Sequence, residues 1–491
     1  PSAACNRRQR GCIALCQTLR ARPRRHPGAS LPASTPSPSV SRIDQARWRA
    51  ASHVWTAPLW LLAYLTLVAG PMVAVLLDPT PRGVEFVWNV SMALGLAGLS
   101  MMSVQFALTA RLRAATAPFG ADLVYVFHRY LALIGFALVG LHFLVLWLFY
   151  GDALGSLDPR AAAWEMTAGR IALLAFGLAV VTAEFRKTLR LEYGRWRYLH
   201  VVLAIGGLVA AVAHAVGTGR FAQMSVGTAV WAATTGFWMA LAVWLRLARP
   251  WRLRRRPYQV VEVRAERGGA WTLALMPRGR PAVAAFSPGQ FAWLNLSPSP
   301  WSLRDHPFSI SSSPTLLPRI EMTIKPLGDF TGGIARTPLG QTAWLDGPFG
   351  VFSTDRYPEA SGFVFVAGGI GITPVMSMLR ALADRKDRRL LWLFYANPEW
   401  DSVAFREEID DLSLRLDLTI VHIVEEPSAD FPGLVGRLDE TVLRGHLPED
   451  RPADFRYFLC GAAPFTETAE AGLAAMGVTP SHIRTELFEL A

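Results

Sequence analysis

Charge is scarce in this chain: Asp, Glu, Lys and Arg make up 18% of its 491 residues, against about 25% in an ordinary soluble protein. Cysteine is scarcer still. Of the four, Cys5, Cys12 and Cys16 crowd the first residues and Cys460 stands alone, which excludes a disulfide framework and a zinc pattern of paired thiolates. No loop of spaced Asp and Asn residues is present, so control by calcium is not expected. Hydrophobic residues account for 52% and the mean hydropathy is +0.26. That excludes wholesale disorder or a collagen-like chain and sends much of the protein into lipid. What charge there is leans positive, +11 net. Nucleic-acid binding is not expected, because the basic residues are not gathered on one aromatic-spaced soluble module. With 17 Trp, aromatic belts and basic cytoplasmic loops of a membrane protein fit better.

Residues 1–50 are rich in Arg, Pro and Ser and do not begin with Met; they read as a disordered or spurious basic tail, with a transit peptide as the alternative. Six apolar runs follow, at about 57–77, 86–110, 122–150, 167–185, 198–216 and 224–247. Each is near the roughly 20 residues that cross the hydrocarbon. Basic residues collect after the second run (Arg111, Arg113), the fourth (Arg186, Lys187, Arg190, Arg195, Arg197) and the sixth (Arg246 to Arg256). The intervening loops carry Arg82, Arg160 and Arg220, one apiece. The positive-inside rule therefore puts both termini and everything past 250 in the cytoplasm, in a six-span protein of the plasma (inner) membrane.

Four of the ten histidines lie inside apolar runs: His128 and His142 in the third, His200 and His214 in the fifth. Ionisable groups at membrane depth are functional by default. Each pair is spaced by fourteen residues, a rise of roughly 21 Å that ends about 40° short of four full turns. Both members of a pair thus share a helix face, one near each leaflet. The two runs travel in the same direction, so His128 shares a depth with His200 and His142 with His214. Two facing imidazoles per level suit a six-coordinate haem iron, and two levels suit two stacked b-type haems. Zinc or copper also accepts neutral imidazole, but would want its ligands at one depth. Arg129, Arg195 and Arg197 neighbour the inner level and would pair with haem propionates, although the positive-inside rule explains the latter two equally well.

From 257 to 325 the period shortens to strands punctuated by Gly and Pro, the pattern of a small antiparallel barrel. Beyond about 361 strands alternate with helices, as in a parallel α/β sheet. The run Val364 to Pro374 is a strand, a Gly-rich turn (Gly368, Gly369, Gly371) and a helix start, with Thr373 expected at the N-cap and Pro374 at the first helical position. Its amides would meet a pyrophosphate. Cys460-Gly461 ends a later strand at the carboxyl edge of the sheet, where ligands of open α/β folds lie.

These residues together resemble the ferric reductase/NADPH oxidase family, a transmembrane di-haem domain fused to ferredoxin–NADP reductase-type flavin and nicotinamide modules. The resemblance covers about 57–491. It implies a membrane protein in which a six-helix transmembrane haem bundle (51–250) is followed by an antiparallel β-barrel FAD domain (251–356) and an α/β nucleotide-binding domain (357–491). It makes His128, His142, His200 and His214 the axial haem ligands. Arg304-Asp305-His306-Pro307-Phe308-Ser309 is similar to the flavin motif, with Ser309 at the isoalloxazine edge and His306 or Arg304 toward the diphosphate. Lys325, Thr331 and Gly332 match the stretch beside that diphosphate. Gly368 to Pro374 would hold the nicotinamide dinucleotide, Cys460 and Gly461 would lie near the nicotinamide, and Phe488 would cover the flavin ring. Pro398 stands where NADPH-preferring relatives often carry Arg, which favours NADH or dual use.

The implied activity is electron transfer from cytosolic NADH or NADPH through FAD and two b-type haems to an acceptor across the membrane. The candidates are O2, giving superoxide, and ferric complexes; an NADPH oxidase or ferric-chelate reductase type of enzyme follows. No obligatory protein partner is implied beyond membrane lipid. The alternative is a haem-bearing membrane subunit or sensor donating to a partner protein or quinone.

Overall fold

A computed structural model describes residues 56–76, 86–109, 120–218, 226–429 and 431–487. The basic tail, Arg82, Arg111, Arg113, Arg220 and Phe488 lie outside the described residues. The apolar runs are helices: α1 (Thr56–Leu76), α2 (Phe86–Leu108), α3 (Gly120–Phe149), α4 (Trp164–Glu184), α5 (Tyr193–Gly217) and α6 (Val226–Val243). Among the described residues four of these, α2 to α5, are long and apolar enough to cross a membrane. Leu141, Leu144, Trp147, Leu148, Leu174, Leu178 and Val202 are exposed on them, an outward apolar surface that water would not tolerate.

The helices pack through small residues, as expected where lipid leaves no hydrophobic drive between them. A Cβ on Gly98 of α2 would lie 2.6 Å from Val139 Cγ2 and 3.0 Å from the Gly135 carbonyl of α3. Leu99, Met102, Phe176 and Leu208 form the buried mid-section of the bundle. Glu192 caps α5 by accepting from the amides of Gly194 (3.0 Å) and Arg195 (3.2 Å). After α6 the chain makes a π turn (Trp244–Ala248) and a short helix (Arg249–Arg254). Pro250 lacks the amide that would continue the ordinary ladder.

Six antiparallel strands follow: β1 (Tyr258–Ala265), β2 (Trp271–Pro277), β3 (Phe291–Asn295), β4 (Asp305–Ser309), β5 (Ile320–Ile324) and β6 (Thr342–Phe349), in the order β4-β3-β6-β1-β2-β5. Alternate residues such as Leu273, Leu275, Leu294, Met322 and Leu345 fill one apolar core. The Ser311 amide, just past β4, donates to the Glu321 carbonyl of β5 (2.8 Å), bringing the two sheet edges together.

The last unit is a parallel sheet, β7 (Gly362–Gly368), β8 (Leu390–Glu399), β9 (Leu418–Glu426), β10 (Leu434–Val435), β11 (Arg456–Gly461) and β12 (Ile483–Leu487), ordered β10-β9-β8-β7-β11-β12. Helices α7 (Ile372–Asp384) and α8 (Arg406–Arg415) cover one face; α9 (Glu440–His446) and α10 (Ala463–Ala475) cover the other. The strand order reverses between β7 and β11, so a crevice opens at their carboxyl ends. The all-β and α/β units are tied together by Arg380 of α7. It donates to the Ser311 carbonyl (2.7 Å) and makes a two-pronged contact with Glu408, both bonds 2.7 Å.

His422 of β9 is buried beside Trp400 and Tyr395, and neither ring nitrogen has a hydrogen-bond partner. Burial, assisted by Arg406, pushes its pKa down to about 4 from 6.5. The folded protein therefore resists protonation that the unfolded chain accepts, and stability falls as pH drops from about 6.5 to about 4. His422→Leu is expected to remove up to roughly 3 kcal/mol of that acid-side loss, seen as a flatter dependence of the α/β unit's Tm on pH between 7 and 4.

Candidate functional site

The four membrane histidines divide as their spacing requires, two on α3 and two on α5. At the first level the His128 and His200 ring centroids are 6.2 Å apart with planes at 74°. That separation is close to the roughly 6 Å expected for two imidazoles binding one metal from opposite sides at about 2.0–2.1 Å. At the second level the His142 Nδ1–H donates to the Ser91 carbonyl (2.8 Å) and the His214 Nδ1–H to the Glu165 carbonyl (2.9 Å). The Ser91 hydroxyl donates in turn to the His142 carbonyl (3.1 Å). Each bond holds the tautomer whose Nε2 lone pair is free to ligate. Neighbouring helices clear space for these rings: a Cβ on Gly95 would lie 3.1 Å from His142, and one on Gly169 would lie 2.8 Å from His214 Nδ1. Among the described residues no group of three or more His, Cys, Asp or Glu gathers to hold a metal. Two protein ligands per level suit a group that brings its own equatorial ligands, as a haem does.

A cavity of about 350 Å³ surrounds His128 and His200, walled by Trp196, Arg197, Arg246, Arg249, Trp293, Asp305 and Asp346. Arg197 bonds Asp305 (2.7 Å) and the Leu303 carbonyl (2.9 Å), and Arg249 pairs with Asp346. These contacts seat the β-unit against the helices. The expectation for Arg129 is corrected: it faces away from the cavity and is held by Glu184 on the exposed side of α4. Arg195 is likewise exposed, 3.6 Å from Glu192. Arg246 and Arg249 take their place, carried there by the π turn.

The flavin-type motif lines a second, larger cleft of about 1290 Å³. Arg304, His306, Pro307, Phe308, Ser309, Lys325 and Thr331 are all on its wall. His306 stacks on Phe330 (4.2 Å, 26°), and Phe308 lies parallel to the same ring (6.0 Å, 16°). Burial, partly opposed by Asp305 and aided by Arg197, lowers the His306 pKa and keeps the ring neutral. The Ser309 hydroxyl is buried without a hydrogen-bond partner, so it is available to a ligand edge, which fits FAD. Thr331 accepts from the Leu327 (2.8 Å) and Gly328 (2.9 Å) amides. Its hydroxyl therefore shapes the loop, and Gly332 closes the same turn through the Gly328 carbonyl (2.7 Å).

The Gly-rich turn runs from Gly368 through a 3₁₀ turn at Gly369–Gly371 into α7. Thr373 is not the N-cap but the second residue of the helix, donating to the Ile370 carbonyl (3.1 Å), and Pro374 is the third. The extra turn absorbed two residues. Gly371 is demanded by a close approach, since a Cβ there would meet the Cys460 carbonyl at 2.2 Å. The expectation that Cys460 lies near the nicotinamide is corrected for its thiol: the side chain is fully buried in the core under α7. What it and Gly461 offer the crevice is backbone. Arg484 and Thr485 of β12 also reach the cleft wall and were not foreseen, because nothing local marks them.

Tyr193, Trp301, Ser302 and Leu303 line both the cleft and the inner histidine cavity. They form the partition between the two.

Comparison with known proteins agrees with this order of parts. Residues 94–211 match the ferric reductase like transmembrane component, 272–353 an FAD-binding domain, and 365–471 the oxidoreductase NAD-binding domain. The chain has the domain architecture of the ferric reductase/NADPH oxidase family. It is an integral membrane protein that joins this transmembrane component to an FAD-binding domain and an oxidoreductase NAD-binding domain. Among curated relatives, the glycine betaine monooxygenase reductase subunit of Chromohalobacter salexigens is 27% identical over 48% of this chain and 65% of its own length. NADH oxidoreductase HCR of Escherichia coli is 28% identical over 47% and 66%. The chain thus spans a little under two thirds of each. The FAD/NAD-binding domain of nitric oxide dioxygenase from Vibrio cholerae aligns over 48% of this chain and 98% of its own, with 23% identity and a TM-score of 0.42.

Within this family architecture the Gly371 contact is testable. Gly371→Ala must push the turn off Cys460, and is expected to raise the KM for reduced nicotinamide at least tenfold while flavin content is unchanged, measured by flavin reduction under anaerobic conditions.

Proposed function

We propose that the chain carries electrons from cytosolic NADH through FAD and two b-type haems to a small acceptor on the far side of the membrane, O2 or a ferric complex. The observation that carries this reading is the shared partition: a flavin-type cleft and a bis-histidine cavity back onto the same four residues. When bound, FAD would accept hydride as an electron pair and the haem irons would take electrons singly. The chain's own task is placement. Ser309 would hold the flavin edge, and His128 with His200, and His142 with His214, would each hold a haem through their imidazole nitrogens. Arg197, Arg246 and Arg249 would face the propionates of the inner haem, while Trp301 and Leu303 keep the partition apolar. The cationic ends of α5 and α6, which share a side with the flavin cleft, support a reading of six spans with both termini cytoplasmic.

NADH is favoured over NADPH by the surroundings of β8. Arg406, which opens α8 beyond the carboxyl end of β8, is stacked on Trp400 (4.5 Å) and flanked by Glu407 (3.6 Å) and Asp401 (3.9 Å). A 2′-phosphate would have to compete with those carboxylates. The kcat/KM for NADH is expected to exceed that for NADPH at least tenfold, and equal values would count against this assignment.

The deciding experiment is an anaerobic spectrum of the detergent-purified chain on addition of NADH. Bleaching of the flavin band with growth of reduced b-haem bands is expected. His214→Ala should lower the haem-to-protein ratio from about two to about one while flavin reduction persists. A ratio that stayed at two would remove the ligand assignment, and a chain with no haem would remove the reading altogether.

A further inference from the structure

Past the π turn, Trp244, Leu247 and Trp251 form an exposed apolar stripe on the helix that leaves α6. Three exposed arginines lie along it. Arg252 sits over Trp244 (4.8 Å), Arg255 over Trp251 (3.6 Å), and Arg254 over Trp301 (5.8 Å). Among the described residues none of the three has a carboxylate partner, in contrast to Arg249 beside them, which is paired with Asp346. Each guanidinium is thus held by a ring face, with its N–H donors directed to no anion of the protein. Guanidinium forks match phosphate oxygens, and indole rings seat at the headgroup level of a bilayer.

We propose that Arg252, Arg254 and Arg255 bind the phosphates of anionic phospholipid headgroups. The chemistry is phosphate recognition, and the source is the bilayer, because the arginines share a helix face with the lipid-seeking stripe of Trp244, Leu247 and Trp251. The site also reaches the partition. Arg254 lies over Trp301, a wall of both cavities, so a headgroup engaging Arg254 steadies the 298–304 loop. Lipid binding itself does not depend on the route or the acceptor of electrons.

The test reconstitutes the full chain in nanodiscs of phosphatidylcholine with an equal part of phosphatidylglycerol, then reads retained lipid by native mass spectrometry. The ratio of retained phosphatidylglycerol to retained phosphatidylcholine should be at least threefold higher than the bulk ratio. The Arg252→Gln, Arg254→Gln, Arg255→Gln variant should lose that enrichment at unchanged flavin content, and the corresponding triple substitution to Lys should keep only part of it. Hydrogen exchange in the 298–304 loop should slow in anionic discs relative to pure phosphatidylcholine. The proposal falls if wild type shows no enrichment, or if the Gln variant or the Lys variant retains all of it. It falls equally if millimolar inorganic phosphate abolishes it, which would mark a free-phosphate site. Exchange that is the same in both discs would overturn the link to Trp301.

Discussion

A neutral imidazole in hydrocarbon carries one N–H that needs an acceptor and one lone pair that needs something to bind. At the second histidine level this structure meets the first requirement twice, and the packing of the surrounding helices depends on it. Backbone carbonyls of Ser91 and Glu165 take the N–H groups of His142 and His214. Those carbonyls are themselves offered by the ends of α2 and α4, so the helix hairpins and the ligand tautomers are specified together. Gly95 and Gly169 complete the arrangement by leaving no side chain where the rings must lie. The second requirement, a partner for the lone pairs, is the physical argument for a bound metal centre at each level.

The second constraint is proximity. Two aqueous units have to be held against a membrane bundle closely enough for one cavity to back onto another. Partly buried ion pairs achieve this here, Arg197 with Asp305 and Arg249 with Asp346. Ion pairs of this kind add little net stability, since desolvation offsets their attraction, but they specify one docking register. That register places Tyr193 of the helices and Trp301 of the β-unit in the same partition. The α/β unit is attached in its turn through Arg380, which reaches both the Ser311 carbonyl and Glu408. The reversal of strand order between β7 and β11 then sets the nucleotide crevice beside the flavin cleft, with Ile370 and Thr373 on the shared wall.

The sequence by itself determined what is periodic or local. The apolar runs, the fourteen-residue histidine spacing, the strand–turn–helix at Gly368 to Pro374 and the His306 to Ser309 motif each lie within one stretch of chain, where helical rise, strand alternation and turn chemistry are legible. Tertiary structure decided the remainder. Arg129 neighbours His128 in sequence but turns to Glu184 on α4. Arg246 and Arg249, more than a hundred residues from His128, reach its cavity because a π turn redirects them. Cys460 reads as a strand-end thiol, yet its side chain points into the core, since the pleat assigns it the face under α7. Trp301 and Arg484 carry no local signal at all. Their positions follow from how separate elements pack, and packing is set by long-range shape and charge complementarity that no single stretch of residues contains.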